Sequence, residues 1–112
     1  MAVTPKLMVT GTLLTNALVT LYTVPANTTG KVNEIILTNH DTVARTVALN
    51  LIDSGDAAGD KNEIIDVTGW TFAPGETRFI GMDQVLDAAG FIQALADVTS
   101  VVSIRITGIE IT

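Results

Sequence analysis

The chain has one histidine, His40 in NHDTVA, so any nucleophile and base pair of the usual kind would have to use it. Such a pair needs a hydroxyl beside the imidazole and an acid to orient the ring. Only Ser54, Ser100 and Ser103 could supply the hydroxyl, and no G-x-S-x-G elbow surrounds Ser54. His40 therefore reads as a solvated turn residue next to Asp41. Asp53, Asp56, Asp60 and Glu63 in DSGDAAGDKNE are oxygen ligands of the type that a hard cation such as Ca²⁺ takes. The run lacks the alternating early acids of an EF-hand loop, and helices do not flank it. It reads as a solvated connection, and no metal or cofactor is assigned.

Twelve Asp and Glu residues give many possible carboxylate pairs, but glycoside hydrolysis needs a fixed separation across a sugar cleft. Tyr22, Trp70, Phe72, Phe79 and Phe91 are all the aromatic residues available for a sugar platform. Trp70, following Gly69, is a candidate for contact with a partner. Asn27-Thr28-Thr29 matches a glycosylation acceptor in form only. The sequence has no P-loop or dinucleotide fingerprint, so no catalytic residue is assigned and the chain reads as non-enzymatic.

Six Lys and Arg against twelve Asp and Glu leave a net charge of −6, which disfavours binding to nucleic acid or anionic lipid. With no Cys, disulfides and thiolate zinc sites are excluded. The opening MAVTPKLMVTG lacks the apolar stretch of a secretory signal, and no 18-residue apolar run exists, so a soluble chain is expected. A length of 112 residues supports one core burying roughly 65% of the extended-chain surface, hence a single domain over 1–112.

Val, Ile and Thr together fill 40 of the 112 positions, and β-branched side chains favour pleated surfaces over helices. An all-β domain follows. Met8 to Val24 reads as one strand ending at Pro25, and PANTTGK as a turn. KVNEIILTN is a strand with Ile35 and Leu37 on one face, and NHDTVAR is a polar tip. TVALNLID alternates Val47, Leu49 and Leu51 against Thr46, Ala48 and Asn50, the pattern of a half-buried strand. SGDAAGDKN is a loop, EIIDVTGWTF a strand with Ile65 and Val67 alternating and broken at Gly69, and APGE a Pro-Gly turn before TRFIG, a short edge or inter-sheet strand. In QVLDAAGFIQALAD a helix would place Gly90 mid-helix at a cost of about 1 kcal/mol. A turn followed by the strand FIQALAD, with Ile92, Ala94 and Ala96 inward, is favoured. VVSIRITGIEIT alternates until Gly108, where the apolar parity slips, which predicts a β-bulge there or a terminal strand covered on both faces. About eight mostly antiparallel strands result, as in a β-sandwich or jelly roll.

LYTVPANTTGKVNEIILTN, TVALNLID, APGETRFIG, VLDAAGFIQALA and SIRITGIEI together resemble the small β-sandwich proteins of tailed bacteriophage virions, including head-decoration and accessory proteins. The resemblance covers nearly the whole chain. It implies a virion location and a capsid-decorating or stabilising role through contacts with the major capsid protein or other virion proteins. It also implies a homo-oligomer, with a trimer favoured. A tail or receptor-binding module and a carbohydrate-binding β-sandwich are the alternatives. Polarity and turn character select Asn39, His40, Asp56 and Asp60 as contact candidates beside Trp70. Pro5 and Lys6 join them from residues 1–8, read as an extended N-terminal arm or a frayed terminus.

Overall fold

A computed structural model describes residues 2–65 and 70–112. Nine strands are assigned among them: β1 (Val3–Leu13), β2 (Val19–Thr23), β3 (Thr29–Asn39), β4 (Arg45–Ile52), β5 (Glu63–Ile65), β6 (Thr71–Phe72), β7 (Thr77–Leu86), β8 (Phe91–Ala96) and β9 (Val102–Ile111). One sheet, A, has the order β1-β9-β3-β7, and the other, B, the order β2-β8-β4-β5 with β6 also paired to β4. All pairings are antiparallel. β5 and β6 lie along one side of β4, at Leu49–Asn50 and at Arg45–Thr46, and so share one strand position.

Eight strand positions remain, and the pairs β1·β9, β2·β8, β3·β7 and β4·β5/β6 make the chain a long antiparallel hairpin rolled across two sheets. That is the jelly-roll order. Val32, Ile35, Leu37, Val47, Leu49, Ile92, Ala94, Ala96, Val102, Ile104 and Ile106 are buried between the sheets. The inward placement expected for β8 and for the first half of β9 holds. So does the APGE turn: the Glu76 amide donates to Ala73 O at 3.0 Å, and Gly75 takes φ +72°, as the third residue of a type II turn requires.

Four expectations are corrected. Met8–Val24 is two strands in different sheets, because Leu14 turns into the core and its N–H and C=O bond to Val102 O and Ser100 N. Val3–Met8 is neither an arm nor a frayed end, since it pairs with β9 from Val3↔Ile111 onward. TRFIG is the first half of a ten-residue edge strand that continues to Leu86. β4 is covered on both faces: Ala48 and Asn50 are buried as well as Val47 and Leu49, because the acidic loop folds back and Asn50 Nδ2 donates to Asn62 Oδ1 at 2.8 Å. Within that loop Asp60–Asn62 forms one 3₁₀ turn. The expected alternation of Ile65 with Val67, and the break at Gly69, fall partly outside the described residues.

The slip at Gly108 has a structural counterpart, but β9 itself carries no extra residue. Val32 pairs with Gly108 and Glu34 with Thr107, which leaves Asn33 extra in β3. Leu7 pairs with Thr107 and Val9 with Ile106, which leaves Met8 extra in β1. Both neighbours bulge beside Gly108. The bulges turn Met8 and Val9 inward together and bring the β3 backbone so close that a Cβ at 108 would overlap Lys31 O and the Met8 side chain.

Candidate contact surfaces

The seven contact candidates lie in three places. Asn39, His40 and Trp70 are at the end of the sandwich where β3 turns into β4 and β6 into β7. Asn39 is fully buried, and this corrects its reading as a surface contact. Its Nδ2 donates to Val43 O and Phe72 O at 3.0 Å and to Ala73 O at 3.2 Å, while its Oδ1 accepts from the Asp41 amide. Its main chain bonds to Glu76 O and Gly75 N. Asn39 ties the two turns together, and no sequence-local signal could show partners more than thirty positions away.

Trp70 is half-buried against the core, tilted 45° to Phe72, with the Arg78 guanidinium 5.3 Å from its ring centroid and 4.5 Å from that of Phe72. Tyr22 is buried and donates its hydroxyl to Glu110 between the sheets. Neither ring is presented as a free sugar platform. His40 is exposed, and its Nε2 lies 2.9 Å from Ser103 Oγ, a pairing across the sheet that the sequence did not reveal. The adjacent carboxylate does not orient this imidazole: Asp41 Oδ2 accepts from Arg45 at 2.7 and 2.9 Å, and Asp41 Oδ1 from the Thr42 amide.

Asp56 and Asp60 lie in the loop over sheet B. Lys61 Nζ reaches Asp56 at 2.8 Å, and among the described residues no three His, Asp or Glu side chains converge as metal ligands. Beside the loop is a depression of about 220 Å³ lined by Leu18, Ala48, Asn50, Gly59, Glu63 and Leu95, smaller than a typical small-molecule site.

Pro5 and Lys6 are exposed on β1, at the edge of sheet A. Ala2 and Thr112 exchange both backbone hydrogen bonds, so the pairing phase aims the main chain of Val3, Pro5 and Leu7 at the free edge. The missing Pro5 N–H therefore costs no ladder bond and removes a donor from that edge, which discourages strand addition.

Five of the nine large apolar side chains exposed among the described residues share one sheet face that was not among the candidates. Register puts Val85, Lys31, Ile109 and Pro5 in one row across the outer face of sheet A. Phe79, Ile36 and Arg105 form a second row, and Thr77, Thr38, Ser103 and Leu13 a third. Phe79 is 66% exposed, Val3 58%, Val85 57%, Leu13 50% and Leu7 41%. Its trace in the sequence was the opposite parity of Ile109 and Ile111, which carries apolar side chains to the outer face.

Charge pairs set a pH dependence. Hydrogen bonds from Arg45 and the Thr42 amide hold Asp41 below its ordinary value of 3.8, Lys61 and the Ala57 amide do the same for Asp56, and Arg78 and the Ala73 amide hold Glu76 below 4.5. Burial first, then the Glu110 hydrogen bond and charge, raise the Tyr22 phenol above its ordinary 10.0. The carboxylates stabilise the fold above their unfolded values, and this is lost as pH falls through the lowered ones; Tyr22 stabilises it below its unfolded value, and this declines as pH rises past it. Thermal midpoints are expected to be flat between about pH 5 and pH 9 and to fall on both sides. Tyr22→Phe should flatten the alkaline limb alone, and an unchanged alkaline limb would refute the assignment to Tyr22.

No helix among the described residues is long and apolar enough to cross a membrane. No family model matches the chain, and no curated protein is detectably similar to it in sequence.

Proposed function

We propose that the chain is a bacteriophage virion structural protein that decorates or stabilises the capsid through protein-protein contacts. The observation that supports this reading is the outer face of sheet A, where Val3, Leu7, Leu13, Phe79 and Val85 are held out to solvent by a paired, rigid sheet. Five large apolar side chains exposed on one sheet face suit a docking surface. A jelly roll suits the role, because both of its sheets are fixed by long-range pairing and a partner meets a surface that is already ordered. Binding that bridges native subunits stabilises a shell by mass action and needs no reaction.

Mass analysis and antibody labelling of purified particles of the tailed phage that encodes the chain test this reading. The chain is expected in high copy over the head. Its absence from the particles overturns the proposal, and labelling confined to the tail replaces it with the tail-module alternative.

A further inference from the structure

We infer that the outer face of sheet A pairs with the same face of a second copy of this chain, related by a two-fold axis. The inference rests on the reading of that face as a docking surface and names its occupant, which leaves attachment to a shell to the other surfaces of the pair. Three observations select a second copy.

The first is charge. Lys31 and Arg105 project from this face with Glu34 and with Asp83, which Lys31 Nζ reaches at 2.6 Å. Two cations and two anions leave the face neutral, although the chain carries −6, so the excess acid lies elsewhere. Two neutral faces can meet without the repulsion that the remaining surface would impose, and a two-fold axis can set the cations of one copy against the anions of the other. A strongly basic or strongly acidic partner gains nothing from a balanced face.

The second is area. Four strands about 4.8 Å apart and ten residues long at about 3.4 Å each present about 650 Å² in projection. A standard interface buries about 800 Å² per partner, so the face and its rim suffice for a stable pair. Phe79 and Val85 lie on β7 and Val3, Leu7 and Leu13 on β1, so apolar anchors flank the charged central strands from both edges.

The third is the blocked edge. Pro5 withholds a main-chain donor from the free side of β1, so extension of sheet A into a second copy is disfavoured there while stacking on its face is not. A patch that meets itself closes at two copies. This favours a dimer where the family resemblance implies a trimer.

Sedimentation velocity of the purified chain from about 1 to about 100 µM, a range that brackets a micromolar Kd, tests the pair, beside Phe79→Asp, Val85→Asp and, as a control on sheet B, Ile64→Asp. Circular dichroism verifies that each variant remains folded, and because Phe79 and Val85 are both exposed, one folded variant of the two suffices. The expected result is a reversible dimer, weakened about 30-fold or more by either substitution on sheet A and unaffected by Ile64→Asp. A monomer throughout the range, a trimer, or an oligomer indifferent to the sheet A substitutions overturns the inference. Those outcomes leave the virion proposal to its own test, because attachment to particles is measured separately; a dimer that is absent from particles overturns the virion role and keeps the pair.

Discussion

Alanine at position 108 is expected to destabilise the fold by about 3 kcal/mol, lowering the thermal midpoint by more than about 10 °C. A Cβ at this position would overlap the Lys31 carbonyl oxygen and the Met8 side chain. Met8 can change rotamer, but Lys31 O belongs to the central strand β3, whose backbone pairs with β7 on one side and β9 on the other. Relief therefore requires β3 and β9 to separate, which loosens the pairing that holds sheet A together. Gly81→Ala is the matched control: its Cβ meets nothing within 4 Å, and a change below about 0.5 kcal/mol is expected. Equal losses for the two variants in urea unfolding would contradict the close-approach explanation.

Asn39→Ala should cost about 3 kcal/mol, by leaving the carbonyls of Val43, Phe72 and Ala73 and the Asp41 amide without their partner. Asn39→Asp is nearly isosteric and separates shape from hydrogen bonding. Near neutral pH it sets a buried carboxylate against three carbonyl oxygens, so it is expected to be at least as damaging as alanine. Protonation would return one donor, so the Asn39→Asp variant should recover part of its deficit relative to the native chain as pH is lowered towards about 4. Urea midpoints at several pH values check this. An Asn39→Asp variant as stable as the native chain near neutral pH would show that the amide does not hold the two turns together.

Both positions show which features of the molecule could be read from residue order. Strand alternation is local, so β3, β4, β8 and the first half of β9 could be recognised from period-2 patterns, and the APGE turn from proline and glycine chemistry. Gly108 was visible as an irregularity, but its cause lies in Asn33 and Met8, extra residues in the two neighbouring strands. Met8–Val24 looked continuous because Leu14, the residue that enters the core where the chain changes sheets, is as apolar as its neighbours. Burial of Asn50 and Asn39 depends on partners brought in by the rolled hairpin, and polarity alone placed Asn39 at the surface.

The contact surface was the least legible part. Polarity and turn character pointed to loops, where Asp56 is occupied by Lys61 and His40 bonds to Ser103. Five of the nine large exposed apolar residues sit instead on edge strands of sheet A, and only the register shows that Phe79, Val85 and Val3 share a face. An isolated β strand gives no indication whether an apolar residue points to a core or to a neighbour.

Electron cryomicroscopy of the virus particles proposed to carry this chain tests most directly whether it works by protein contact through sheet A. The account predicts jelly-roll density at high copy over the head, with Phe79 and Val85 buried against another copy. Particles without that density, or with it and with the outer face of sheet A turned to solvent, would contradict it.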